Sequence, residues 1–161
     1  MTNERVTNVV VAGLGGQGVI KASDILADAV LRAGLDVKKA EIHGMSQRGG
    51  SVTSDVRFGA RVLSPMVPGG EADFLVVLEP SQVENNRPVL RAGGVLLGPD
   101  LLAEGALPNR KSLNVALLGA LAEHLSIPEE LWIASIRAAL PDRLHELNLD
   151  AFRAGRAAGR R

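Results

Sequence analysis

The feature that most constrains the fold lies near the start of the chain, in "VTNVVVAGLGGQGVIKASDILADAVLRAG". Val9, Val10, Val11 and Ala12 form an unbroken apolar run, the pattern of a strand covered on both faces. The glycine-rich turn "GLGGQG" follows. Beyond it Val19, Ala22, Leu26, Ala29, Val30 and Ala33 recur at spacings of three and four, which places them on one face of a helix. A buried strand feeding a helix through a tight glycine turn is the opening unit of an α/β domain. "DVKKAEIH" then predicts a second strand, parallel to the first through a right-handed crossover.

From Ser51 the period changes to two, with Val52, Ser54, Val56 and Phe58 alternating against Ser51, Thr53, Asp55 and Arg57. Gly59 and Ala60 predict a turn into "RVLSPMV", and so a hairpin. "PMVPGGEA" is a loop by its prolines and glycines, and "DFLVVLE" is the next buried strand. A short helix is expected from Pro80 to about Arg91, interrupted at Pro88. "GGVLLGP" reads as a strand, and "SLNVALLGALAEHL" as an apolar helix with Ser112 at its N-cap. Pro128 opens a further helix, and "NLDAFRAGRAAGRR" predicts a short terminal one capped by Asn148. The expected architecture is a three-layer α/β/α sandwich. Its Rossmann-like sheet is mostly parallel and carries an antiparallel hairpin. With no internal repeat and no dividing linker, residues 1–161 are expected to form one domain, with 154–161 as a flexible tail.

Composition removes several classes of function. Aromatic residues are 2% of the chain (Phe58, Phe74, Phe152 and Trp132), too few for the stacking platforms of single-stranded nucleic-acid binding. The 18 basic and 18 acidic residues balance, so no global field draws the chain to nucleic acid or an anionic membrane. There is no cysteine, which excludes thiolate catalysis and thiolate ligation of an iron–sulfur cluster by this chain. The start "MTNERVTN" is polar, with neither secretory signal nor membrane span, so a cytoplasmic protein is the expectation.

Two segments carry candidate chemistry. In "GLGGQG", Gly13, Gly15 and Gly18 fit the dinucleotide pattern G-x-G-x-x-G between strand and helix. Asp36 and Glu41 are the candidate ribose-binding carboxylates, although Glu41 lies beyond the usual spacing. A stand-alone NAD(P)-binding enzyme is therefore one reading; glycines that only make a tight turn against a neighbouring chain are the other. The second segment, "HGMSQRGGS", follows the second strand and is predicted on the same sheet edge as the glycine turn, where α/β sheets carry their binding crevice. Arg48 offers a fork for phosphate or carboxylate, and Gly49 and Gly50 permit unusual backbone angles. His43 either offers an imidazole to that edge or simply bonds a carbonyl. Asn114 and His124, polar residues in the apolar helix, are read first as structural groups with satisfied hydrogen bonds. His43, His124 and His145 lack metal-site spacing. No nucleophile elbow or P-loop lysine is present.

"GLGGQGV", "EIHGMSQRGGSVTSDVRFG" and "SPMVPGGEADFLVVLEP" together resemble the gamma-type subunit of 2-oxoacid:acceptor oxidoreductases. These include pyruvate and indolepyruvate ferredoxin oxidoreductases, and the "HGMSQRGGSV" form is most similar to the small beta subunit of the indolepyruvate enzymes. The resemblance implies a complex that oxidatively decarboxylates a 2-oxoacid, transfers the acyl group to coenzyme A and passes electrons to ferredoxin or another acceptor. Thiamine diphosphate, magnesium and the iron–sulfur clusters are then expected on partner subunits, with no catalytic or metal-ligating residue in this chain alone. Gly13, Gly15, Gly16, Gln17 and Gly18, together with His43, Met45, Ser46, Arg48, Gly49 and Gly50, are expected to form one rim that docks on the thiamine-bearing subunit and shapes a channel for coenzyme A or substrate. Gln17 and Arg48 would be its polar anchors.

Overall fold

The computed structural model describes residues 5–44 and 50–160. Among them, five strands form one mixed sheet: β1 (Thr7–Leu14), β2 (Asp36–His43), β3 (Ser51–Gly59), β4 (Ala72–Val77) and β5 (Leu90–Leu97), in spatial order β2-β3-β1-β4-β5. β1 pairs in parallel with β4, and β4 with β5. β3 lies antiparallel between β1 and β2. Four strands therefore point one way and β3 the other. β2 does run in the direction of β1, as predicted, but it is not the neighbour of β1.

The hairpin is β2–β3, closed where the Gly44 N–H donates to the Ser51 carbonyl at 2.7 Å. No strand forms over residues 61–67, where the turn at Gly59 and Ala60 predicts the second arm of a hairpin. Two carboxylates take the backbone there instead: Asp36 accepts the Val62 N–H and Asp55 the Val67 N–H. Pro65 and Pro68 have no N–H to give a ladder.

The sheet is covered on both faces because the strands are apolar on both. Val9 and Val11 join Val56 and Val76 under α1 (Val19–Arg32), α3 (Leu113–Ala122), α4 (Glu129–Ala139) and α5 (His145–Gly159). Val10 and Ala12 turn the other way, against Leu75, Val77 and Val67. That face has a thinner cover: the loop bearing Val67 and the short helical stretch 80–89, which includes α2 (Val83–Asn86). Each fully buried valine or leucine contributes roughly 1.5–3 kcal/mol, so this alternation fixes the register of β1.

The predicted helix from Pro80 to Arg91 breaks into single turns around Pro88, and β5 begins at Leu90. Ser112 does stand at the N-cap of α3, but its hydroxyl donates back to the Asn109 carbonyl rather than capping the helix. The terminal helix is longer than expected. It starts at His145, and Asn148 lies inside its first turn, donating to the Leu144 carbonyl. Residues 154–159 are the last turns of that helix, not a free tail. Ala158 is buried, and Arg156 pairs with Glu123 at 2.8 Å. α3 is buried all round, and α5 crosses it backbone to backbone at Gly119, Gly155 and Gly159.

At the amino edge of the parallel strands, buried Asp73 anchors three elements. One carboxylate oxygen receives Arg5 at 2.8 Å and Arg91 at 2.7 Å, and the other takes the Asn8 N–H at 2.8 Å. Burial pushes this carboxyl up, but the Asn8 N–H and the two guanidiniums outweigh it and hold it below the usual carboxylate range. A depressed carboxylate contributes stability above its unfolded pKa and loses it as pH falls through the folded one. Asp73→Asn is therefore expected to lower unfolding free energy by roughly 2 kcal/mol at neutral pH, the exposed arginines being screened. In denaturant titrations the gap to the parent should close as the pH drops below 3.8. A gap that stays constant with pH would show that Asp73 acts by packing alone.

Candidate functional site

The carboxyl ends of β1 and β2 and the start of β3 share one edge, so the two glycine-bearing segments meet there. The Gly15 N–H donates to the Gly50 carbonyl at 2.9 Å. Between them opens a cleft of about 400 Å³, lined by Leu14, Gly15, Gly16, Gly18, Val19, Ile20, Lys21, His43 and Val52. Met45, Ser46, Arg48 and Gly49 lie outside the described residues.

Gly18 is the N-cap of α1, at φ 87°, a backbone conformation that side chains with a Cβ resist. A Cβ there would also fall 2.4 Å from Nδ2 of Asn114, which donates to the Gly18 carbonyl. Asn114 is buried and ties the start of α3 to the turn, the structural role expected of it. Among the described residues no side-chain hydrogen bond caps α1, and its first turn has no acidic residue. Its leading N–H groups and positive dipole end therefore open toward the cleft, an arrangement suited to an anion such as phosphate.

Gln17 is engaged within the chain. Its Oε1 accepts the Leu14 N–H at 2.7 Å and its Nε2 donates to Glu79 at 2.7 Å. The residue expected to anchor a partner thus braces the turn between the ends of β1 and β4. Gly13 leaves room for that brace, since a Cβ would fall 2.9 Å from Gln17 Oε1. Glu79 was not legible as a site residue. Its signal was its place, at the end of a buried strand beside β1, on the edge where α/β folds bind ligands.

His43 is exposed at the end of β2 and lines the cleft, with no hydrogen bond to another described residue. The Lys21 stem lines the cleft too, while its ammonium donates to the Ala139 carbonyl at the end of α4. His124 is exposed rather than buried, with its ring 5.4 Å from that of Phe74. His145 bonds the Arg137 and Leu140 carbonyls. Among the described residues no three His, Cys, Asp or Glu side chains gather as metal ligands. With no cysteine in the sequence, the donor set does not fit a thiolate-ligated iron–sulfur cluster. No described helix is long and apolar enough to cross a membrane.

The dinucleotide reading fails on topology. β3 separates β1 from β2, which moves Glu41 two strand spacings away from β1, about 9–10 Å. Its carboxylate is held instead by Lys39 at 2.9 Å.

Comparison with known proteins agrees. The chain matches the pyruvate ferredoxin/flavodoxin oxidoreductase family over residues 8–108 and 100–158. It is 35% identical to the indolepyruvate oxidoreductase subunit IorB of Methanothermobacter thermautotrophicus, covering 92% of this chain and 95% of that one. It is 30% identical to the 2-oxoglutarate synthase subunit KorC of Archaeoglobus fulgidus, covering 98% and 90%. Among solved structures, the 2-oxoglutarate:ferredoxin oxidoreductase from Magnetococcus marinus, with 2-oxoglutarate, coenzyme A and succinyl-CoA bound, superposes with a TM-score of 0.82 at 25% identity. The match covers 98% of this chain and 32% of that longer one. The keto/oxoacid ferredoxin oxidoreductase gamma subunit of Geobacter sulfurreducens has the same fold, with a TM-score of 0.79 at 22% identity over 96% of this chain and 97% of that one. By sequence and by fold, this chain belongs to the pyruvate ferredoxin/flavodoxin oxidoreductase family.

Proposed function

We propose that this chain is the gamma-type subunit of a 2-oxoacid:acceptor oxidoreductase complex, and that its glycine lip serves coenzyme A at the boundary with the thiamine-bearing subunit. One observation carries the reading: the Gly15–Gly50 bond joins the two motif segments around a cleft onto which the uncapped, acid-free start of α1 opens. Coenzyme A has phosphates for those N–H groups, and the Magnetococcus relative was solved with coenzyme A bound. Thiamine diphosphate with magnesium, and the iron–sulfur clusters, supply decarboxylation and electron transfer from the partner subunits to ferredoxin or another acceptor. This chain's own part is to bind and orient. The α1 N-terminus holds an anionic group, Val19, Ile20 and Val52 give an apolar wall, and His43 faces the opening. Arg48 supplies a cation from the segment between His43 and Gly50. The substrate class is a 2-oxoacid, with aryl or indolyl pyruvate favoured through the likeness to the indolepyruvate subunits.

The test is Arg48→Ala in the purified complex. The KM for coenzyme A should rise about tenfold with the melting temperature of the chain unchanged, because a phosphate contact is lost without disturbing the core. Unchanged turnover at limiting coenzyme A would remove Arg48 from the site. In calorimetry the isolated chain should take up little or no NAD or NADP.

A further inference from the structure

The segment "SPMV" belongs to the third motif of the chain, yet it lies far from the lip. It sits in the loop 60–71, which joins β3 to β4 at the amino edge of the sheet. Two carboxylates hold that loop. The Asp36 carboxylate takes the Val62 N–H at 2.8 Å, the Asp55 carboxylate takes the Val67 N–H at 2.9 Å, and both valines are buried. Between these pins Leu63 is 79% exposed and Met66 49%. A scattered surface leucine means little. Two large apolar side chains held outward on a backbone pinned at both ends are different, because the fold orders the loop without burying them. The cost is visible at Asp55: burial pushes its carboxyl up, only partly offset by the Val67 N–H and Arg57.

Beside this ridge lies an open cleft of about 440 Å³, lined by Arg5, Asn8, Arg57, Glu71, Asp73 and Arg91 among others. Arg57 joins cleft to ridge. Its Nε donates to Asn8 Oδ1 at 2.8 Å and its Nη1 to the Ser64 carbonyl at 2.9 Å, leaving Nη2 uncommitted among the described residues. Arg91 gives Nε to Asp73 and Nη1 to the Ala92 carbonyl, and its Nη2 is uncommitted likewise. Among the described residues the guanidiniums of Arg5, Arg57 and Arg91 and the carboxylates of Glu71 and Asp73 line the cleft, and Nη2 of Arg57 and of Arg91 are the groups it offers to a partner.

We propose that the Leu63–Met66 ridge and the arginine cleft form a second docking face, which receives a partner subunit presenting an apolar socket rimmed by carboxylates. The proposal rests on the reading that this chain works within a complex, and it assigns to assembly an edge opposite the one that serves coenzyme A. The apolar anchors give affinity, while the guanidinium rim gives orientation and salt dependence. A second copy of this chain is the poorer occupant. A two-fold pairing of this face would set arginine against arginine.

The test uses the intact complex and the double substitution Leu63→Ser with Met66→Ser, both at exposed positions. Dilution of the complex, followed by mass photometry, should show dissociation about tenfold easier than for the parent. The isolated variant chain should melt with the parent, and complexes still assembled should keep the parental KM for coenzyme A. The parental complex should also weaken between roughly 50 mM and 500 mM salt. Parental dissociation in the double variant would overturn the proposal. So would a concentration-dependent dimer of the isolated chain that the substitutions abolish. Failure of the lip reading is a separate result, an Arg48→Ala complex with unaltered coenzyme A kinetics, and it leaves this dissociation measurement standing.

Discussion

Gly155→Ala is expected to be the most damaging single methyl that can be added to the helical layer. A Cβ at Gly155 would fall 1.6 Å from the Ala116 carbonyl oxygen and 2.6 Å from its carbon. Those are backbone atoms in the middle of α3, so no side chain can rotate away. The helices must separate instead, and the same seam includes Gly119, where a Cβ would meet the Phe152 carbonyl oxygen at 2.1 Å. Separation would loosen Phe152 against Trp132, whose rings lie 5.7 Å apart in the core. Two effects oppose each other. Alanine in a helix interior is favoured over glycine by about 1 kcal/mol. Forcing atoms into a packed core costs about 1–3 kcal/mol and sometimes more, and a backbone clash this short belongs at the upper end. We expect a net loss of about 3 kcal/mol, and so a melting temperature lower by roughly 6–12 °C for a chain of this size. Gly69→Ala is the control, since a Cβ there meets nothing within 4 Å, and it should change stability by less than about 0.5 kcal/mol. Circular dichroism melts of both variants decide the matter. A Gly155→Ala protein as stable as its parent would mean that α3 and α5 do not cross at this point.

Gly18→Ala is expected to have the largest effect on the proposed activity. The left-handed backbone at φ 87° costs a residue with a Cβ about 1–2 kcal/mol, and the new methyl presses on Asn114 Nδ2 at 2.4 Å. Asn114 can swing aside at the loss of its bond to the Gly18 carbonyl, but the dihedral strain is relieved only by moving the turn, and with it the N–H groups at the start of α1. We expect kcat/KM for coenzyme A in the complex to fall tenfold or more, the equivalent of about 1.4 kcal/mol. Adding Asn114→Ala removes the steric part and leaves the dihedral strain, so the double variant should recover part of the loss rather than lose more. If Gly18→Ala complexes bind coenzyme A like the parent, the lip is not its site, whatever the variant does to stability.

Much of the fold was legible in the chain itself, and the reason is local. Val9 to Ala12 are apolar on both sides, and a strand of that kind requires cover on both faces. Val19, Ala22, Leu26, Ala29 and Val30 repeat with helical spacing and lie buried on α1. The meeting of Gly15 with Gly50 was readable as well, because segments that follow strands of one direction emerge at one edge. The misplacements have a different origin. Whether β2 or β3 sits beside β1 is not written in either strand's alternation, since both are compatible with the same partner. The loop at 61–67 follows a Gly59–Ala60 turn that would suit a hairpin, but Asp36 and Asp55, distant in sequence, take the Val62 and Val67 N–H groups first. The apparent tail is helix because α3 supplies a glycine-notched surface for it, and Arg156 finds Glu123 across that seam.

In the candidate site the division runs along the same line. Sequence alone determined which candidate residues the chain offers: a glycine turn at a strand end, a histidine closing β2 and an arginine in the connection that follows it. It also determined that these 161 residues offer no thiolate, because none of them is cysteine. Only the tertiary structure decided that Gln17 is a brace held by Glu79, that Glu41 is out of reach of the turn, and that Leu63 and Met66 stand exposed beside three arginines. Residue type and period are properties of neighbours along the chain. Hydrogen-bond partnership and exposure depend on which distant groups arrive first, and that competition is settled only when the whole sheet has assembled.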